Sequence, residues 1–242
     1  MTTLLRLGSR GPSVTQVQQL LNSKLVPSPR LTPDGIFGGL TRQAVIQFQS
    51  KNWLTPDGIV GPCTLNALRG TEDFVYYKPP SRLVPQPTND TCWAASTSML
   101  TGLAVPLVIA KAQAAGVQIF NPGGIYNDSD RDNPANTTLF ARTFGFTIRP
   151  PMSWLPRALA ELVRSNGPLM MDTLWNATDY AAGSGSPGHM RVIAGMRGDG
   201  TAEGTTMLIY DPWAPNVGKI ESVIYGPFIR ATPASTYQIF HR

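Results

Sequence analysis

Apolar side chains recur at helical spacing early in the chain: Val14, Val17, Leu20 and Leu21 form one stripe, and Ala44, Val45 and Phe48 another. Steps of three and four residues put such positions on one face of a helix. The first stripe predicts a helix opening at Ser13, where Ser13 and Gln16 have the capping-box pattern. The second predicts a helix over 42–50, and a short third one covers 65–68. Helical spacing returns over 92–103, 106–115 and 156–165. The pattern then changes to short apolar runs, over 169–173, 190–196, 207–210 and 219–224, which read as strands. Helices followed by antiparallel strands predict an α+β class.

Between the first helices the sequence repeats. Leu31-Thr32-Pro33-Asp34-Gly35-Ile36-Phe37-Gly38 returns 23 residues later as Leu54-Thr55-Pro56-Asp57-Gly58-Ile59-Val60-Gly61. Each Pro-Asp-Gly predicts a tight turn: Pro presets φ, Asp can bond its own backbone and Gly accepts positive φ. Thr41 and Thr64 follow the two turns, placed to cap the next helix. The expectation is a small three-helix domain over residues 1–70. Residues 71–84 carry Glu72, Asp73, Lys78, Pro79 and Pro80 with little periodicity, and read as a linker or a strand-like lead-in. The second domain then runs over 85–242, with a helical half and an antiparallel sheet half.

Composition narrows the class. Hydrophobic residues make up 42% and charged residues 14%, the balance of a folded chain rather than a disordered one. No apolar run reaches the roughly 20 residues of a membrane helix, so no transmembrane segment is expected. A formal charge of +5 favours anionic partners. The basic residues are scattered, without a stripe interleaved with aromatics, which argues against nucleic acid. Cys63 and Cys92 are too few for a disulfide scaffold. His189 and His241 are the only histidines, and H-E-x-x-H and C-x-x-C are absent, so neither a metal nor a cofactor is expected. Residues Met1 to Gly8 lack an extended apolar core and a small-residue cleavage site. As written they are no Sec signal peptide.

The N-terminal motifs carry a specific likeness. Leu7-Gly8-Ser9-Arg10-Gly11, Val14, Val17-Gln18, Asp34-Gly35-Ile36-Phe37-Gly38, Ala44-Val45, Phe48-Gln49 and Asp57-Gly58-Ile59-Val60-Gly61-Pro62 follow one another in order. This series, over residues 4–69, resembles the peptidoglycan-binding domain of many cell-wall hydrolases. The resemblance implies a helical module that docks on wall material without cleaving it. Cys63, where the second turn feeds the last helix, reads as a small buried hydrophobe.

The chemistry concentrates further on. In Gln86-Pro87-Thr88-Asn89-Asp90-Thr91-Cys92-Trp93-Ala94-Ala95-Ser96 a polar loop runs into an apolar helix, with Cys92 at the junction. Exposed N–H groups at a helix start favour a thiolate, and a nearby imidazolium lowers a thiol from about 8.5 to roughly 3.5–7.5. Gly188-His189-Met190-Arg191-Val192-Ile193 opens a short apolar strand with a histidine, entered from a Gly/Ser-rich loop over 183–188. Leu208-Ile209-Tyr210-Asp211-Pro212 ends a strand in an acid at a Pro-set turn; Asp172 and Asp179 compete with Asp211 but close no strand after the histidine. His241 reads as incidental.

The order Gln86, Cys92-Trp93, His189, Asp211 resembles the papain superfamily. That resemblance implies Cys92 as nucleophile, His189 as base and Asp211 as the acid that orients it. It implies Gln86, with the Cys92 N–H, as the oxyanion donor. An Asp-Pro ending is used by compact bacterial members, including bacteriocin-processing peptidases and papain-like effector proteases. The sequence departs from plant and lysosomal papains in having no second cysteine near Cys92, Asp in place of Asn, and no second cysteine in the catalytic domain to make a disulfide.

Together the two resemblances imply an amide hydrolase of peptidoglycan stem peptides. The alternative is a protease acting on a target protein, the wall-binding domain serving transit or anchoring. Expected partners are peptidoglycan or a peptide substrate. For a secreted antibacterial effector they extend to a cognate immunity protein and a secretion machine; a phage lysin is the other route. The expected location is outside the cytoplasm, in periplasm, wall or target cell, reached without a Sec leader.

Overall fold

The computed structural model describes residues 4–120, 124–125, 134–150, 152, 154–174, 188–231 and 238–242. Its N-terminal helices are α1 (Pro12–Lys24), α2 (Gly39–Lys51) and α3 (Pro62–Arg69). None is capped by a side chain. Gly11, Gly38 and Gly61 stand at the caps, and Pro12 and Pro62 open α1 and α3, where the missing proline N–H is an orphan donor in any case. Ser13 is therefore inside α1 rather than at its cap.

Thr41 and Thr64 also lie inside their helices, buried at the third position, and do not cap. They serve a buried glutamine instead. Gln18 Nε2 donates to Asp34 Oδ1 (2.9 Å), Ile36 O (3.1 Å) and Thr41 Oγ1 (3.2 Å), while its Oε1 accepts from Gly35 N (3.0 Å). Gln49 repeats the arrangement on the second turn, with Asp57 Oδ1 (2.8 Å), Ile59 O (2.9 Å), Thr64 Oγ1 (3.1 Å) and Gly58 N (2.9 Å). The sequence repeat is thus a repeat of one hydrogen-bonded clamp. Gly35 and Gly58 both have φ +74°, and a Cβ on Gly58 would meet Arg42 Cγ at 2.9 Å.

Cα packing divides the chain into two units. The first comprises 1–75, 196–207 and 222–227; the second comprises 76–195, 208–221 and 228–242. In the first, Val14, Val17, Leu21, Val45, Phe48 and Leu68 form the centre of an apolar core that includes Cys63. The segment 196–207 is tied to the helices by Arg197. Its guanidinium pairs with Glu72 (2.5 and 2.6 Å), donates to Asn52 O and lies over Trp53 at 5.1 Å.

A seven-stranded sheet has the order β4 (Thr147–Arg149), β9 (Gln238–His241), β5 (Leu169–Leu174), β6 (Gly188–Gly198), β7 (Thr205–Asp211), β8 (Lys219–Ile224), with β1 (Phe74–Tyr77) also pairing β6. β1 lies within the 71–84 segment. β5 pairs antiparallel with β6, Thr173 opposite His189 and Met171 opposite Arg191. β2 (Ile119–Phe120) and β3 (Gly124–Ile125) form a separate ribbon. The helices of the second unit are α4 (Cys92–Thr101), α5 (Val105–Ala114), α6 (Pro134–Phe144) and α7 (Pro156–Asn166); α8 (Tyr225–Ala231) has residues 225–227 in the first unit and 228–231 in the second. Its core is aromatic: Phe140 meets Trp93 edge-on at 6.0 Å and Phe240 at 5.8 Å. Among the described residues no single helix is long and apolar enough to cross a membrane.

Candidate active site

Cys92 is the first residue of α4, and the helix is buried without a break from Cys92 to Met99. A helix buried on every face belongs in a core, and this one is sewn to β6 on both sides of a single residue. Met190 N lies 3.5 Å from Cys92 Sγ, and Ser96 Oγ donates to Met190 O at 2.9 Å. The nucleophile candidate is therefore held against the residue next to His189.

His189, second in β6, is buried, and its Nε2 lies 2.7 Å from Asp211 Oδ1. Asp211 is the last residue of β7, and its Oδ1 also accepts from Trp213 N at 2.9 Å. Burial works against the Asp211 charge, but the His189 hydrogen bond and the Trp213 N–H outweigh it and hold the carboxyl below its ordinary value.

Gln86 is fully buried, on a loop tied to the turn after Asp211. Gln86 N donates to Pro212 O (3.1 Å), and Asn216 N donates to Gln86 O (2.8 Å). Its Nε2 donates to Thr88 O at 2.6 Å, and its Oε1 has no partner among the described residues. One of the two amide hydrogens is thus spent on its own loop.

The electrostatics of Cys92 differ from expectation. Burial pushes its thiol up to about 12, opposed by the Met190 and Trp93 amides and reinforced by the Asp172 and Asp211 charges. Desolvation outweighs the helix start. The resting form of Cys92 is then the thiol. Among the described residues no three His, Cys, Asp or Glu gather to hold a metal ion.

The family model of the papain-like cysteine protease AvrRpt2 matches residues 78–223. The chain belongs to this family. As a papain-like cysteine protease it is a hydrolase, and Gln86, Cys92, His189 and Asp211 all fall inside the matched region. A peptidoglycan binding domain model matches residues 10–68. Among solved structures, the SleB N-terminal domain is 28% identical, with 29% of this chain and 94% of that one covered, at a TM-score of 0.27. A Burkholderia AP3 phage endolysin is 27% identical over 50% of this chain and 41% of its own, at a TM-score of 0.26. A Prevotella intermedia prointerpain A fragment is 11% identical over 84% and 81%, at 0.34. The papain-like chain thus spans less than half the length of the endolysin.

Of the residues named from sequence, Cys92, His189, Asp211 and Gln86 lie on elements that converge on Met190 and Pro212. Asp172 faces Met190 across β5 and β6, and its charge bears on Cys92. Asp179 and residues 183–187 of the Gly/Ser-rich loop lie outside the described residues. His241 is buried in β9, where its Nε2 accepts from Arg149 Nε at 3.3 Å, a structural placement. The sequence reading missed the Met190 amide, because a backbone donor leaves no residue signature.

Proposed function

We propose that this protein cleaves amide bonds of peptidoglycan stem peptides with Cys92 as nucleophile, His189 as base, Asp211 as orienting acid and Gln86 as oxyanion donor. The observation that carries this reading is the 2.7 Å pairing of His189 with Asp211 on the strand whose next residue binds Cys92 Sγ. His189 Nδ1 takes the Cys92 proton as Sγ attacks the carbonyl carbon, and the imidazolium is stabilised by Asp211. The tetrahedral oxyanion accepts from the Cys92 N–H and the second hydrogen of Gln86 Nε2. The imidazolium then protonates the leaving amine, and water, activated by the same ring, releases the acyl group from sulfur.

The wall substrate is supported by the peptidoglycan binding domain match and by where the charge sits. Residues 1–70 hold seven Lys or Arg and two Asp or Glu, a net +5, while residues 71–242 hold thirteen of each and are neutral. All seven cations are exposed, and both acids, Asp34 and Asp57, are engaged by the glutamine clamps. Tethering a hydrolase to an anionic wall raises the local concentration of its scissile bonds.

The second reading is a protease with a protein substrate, favoured by the AvrRpt2 protease model over 78–223. The wall-binding segment would then serve transit. An antibacterial effector, with an immunity protein and a secretion machine, or a phage lysin, would be the biological setting of the first reading. Digestion of purified sacculi beside an unfolded model protein, with wild type and Cys92→Ala, decides between them. Cys92-dependent muropeptides support the wall hydrolase; cleavage of the protein with intact sacculi overturns it.

A further inference from the structure

Arg191 stands two residues after His189 on β6, so the two side chains leave the same face of the sheet. It is an internal cation without an ion pair among the described residues. Its guanidinium lies 4.9 Å over the Phe228 ring, its Nη2 is 3.4 Å from Thr173 Oγ1, and its buried Nε has no hydrogen-bond partner among the described residues. Thr173 Oγ1 in turn donates to His189 O at 3.1 Å. A guanidinium is costly to bury without a carboxylate in contact, yet here packing and one weak hydrogen bond hold it on the face of β6 that also carries His189.

We propose that Arg191 is a positioning residue for the reaction, a fixed charge that balances Asp211 and so sets the pH at which the Cys92 thiolate and His189 imidazolium form. This rests on the catalytic reading above. The charged and titratable groups around it are Asp211 on β7, Glu221 on β8 and His189 on β6; Thr173 on β5 and Phe228 on α8 are neutral. On the thiol side stand Cys92 on α4 and Asp172 on β5. Burial pulls the Arg191 pKa down, against the attraction of Asp211 and Glu221, and Arg191 in turn favours the ionised Asp211. Asp211 and Asp172 disfavour a thiolate at Cys92. A cation beside Asp211 offsets part of that field. Removing it makes the site more negative, so protons are held more tightly and the thiolate forms at higher pH.

The test is the rate of Cys92 alkylation by iodoacetamide against pH, read by mass spectrometry of the full chain. Wild type should show an acid limb that His189→Ala abolishes. Arg191→Met and Arg191→Gln should move its midpoint up by about half a unit to one unit, while Arg191→Lys, which keeps the charge, should leave it in place. Glu221→Gln, on a partly exposed side chain, removes a negative charge and should move the limb down. It provides the decision if the neutral Arg191 variants do not fold. An acid limb that stays put in the neutral variants, with only the plateau rate lowered, overturns the proposal and leaves the catalytic reading intact; with those variants unfolded, an unmoved limb in Glu221→Gln does the same. A wild type without a His189-dependent limb overturns both.

Discussion

Two cysteines in one chain are separated by their surroundings rather than by their exposure. Cys92 and Cys63 are both buried, and burial raises both thiols, to about 12 and about 11. Cys92 Sγ lies against the Met190 amide, one residue after the histidine that Asp211 holds at 2.7 Å. Cys63 donates instead to Glu203 O at 3.1 Å, within an apolar core. A neutral electrophile at pH 6–7 should therefore label Cys92 and spare Cys63, and His189→Ala should lose the difference; equal labelling of both in wild type would count against the catalytic reading. Cys63 also gives a stability signature. Its folded pKa is raised, so its contribution is complete below the unfolded value of about 8.5 and is lost as pH rises through about 11. Cys63→Ala should flatten the fall in Tm over that alkaline window, and an unchanged slope would remove this account. At Asp211, Asn retains an acceptor oxygen for His189 Nε2 but drops the charge, whereas Ala drops both. Asp211→Ala should cost about 10²- to 10⁴-fold in kcat/KM and Asp211→Asn less, with equal losses arguing that the acid does not set the tautomer.

At the scale of elements, the glutamine clamps explain why the turns repeat. Truncating Gln49 to Ala strands the Gly58 N–H and removes the donor from Asp57, Ile59 and Thr64 at once. A buried donor left unmade costs about 1–3 kcal/mol, so urea unfolding should report a loss of about 2–4 kcal/mol for Gln49→Ala, and similarly for Gln18→Ala. Gln49→Glu should be worse, since a carboxylate faces Asp57 and two oxygens. A loss below half a kcal/mol in either Ala variant would mean the turns hold themselves. The Pro-Asp-Gly turns were legible from composition, but the clamp was not, because Gln18 and Gln49 lie on the preceding helices and meet the turns only once folded. For the same reason Thr41 and Thr64 read as caps. Their hydroxyls suit a cap, and only tertiary contact diverts them. The strands β5 to β8 were legible from apolar runs. Over 134–144 the pair Phe140 and Phe144 has helical spacing, but the Asn136-Thr137-Thr138 opening masked α6. β4 and β9 are too short for any period to show. His189 and Asp211 were legible because Gly188 and Pro212 mark the strand ends they occupy, and Cys92 because a polar loop runs into an apolar helix there, whereas Arg191, in mid-strand, carries no such mark.

For the whole molecule, the charge partition predicts how it finds its substrate. The net +5 lies entirely in residues 1–70, and the rest of the chain is neutral. Attraction of such a segment to a wall polymer acts over about one Debye length, about 10 Å at 0.1 M salt and about 3 Å at 1 M. Adsorption of the full chain to purified walls should therefore weaken about tenfold or more between 50 mM and 500 mM salt, while iodoacetamide labelling of Cys92, an event inside a buried site, should hardly change. The double substitution Arg6→Glu and Lys24→Glu takes residues 1–70 to a net +1. Both positions are exposed, so the fold and the Cys92 labelling rate should survive while the salt dependence of adsorption falls sharply. If binding is instead insensitive to salt and to the double substitution, recognition is by shape and neutral hydrogen bonds, and the charge is a matter of solubility alone. If both adsorption and Cys92 labelling fall together in the variant, charge on the N-terminal segment reaches the catalytic chemistry, and the separation of anchoring from cleavage argued from the charge count does not hold.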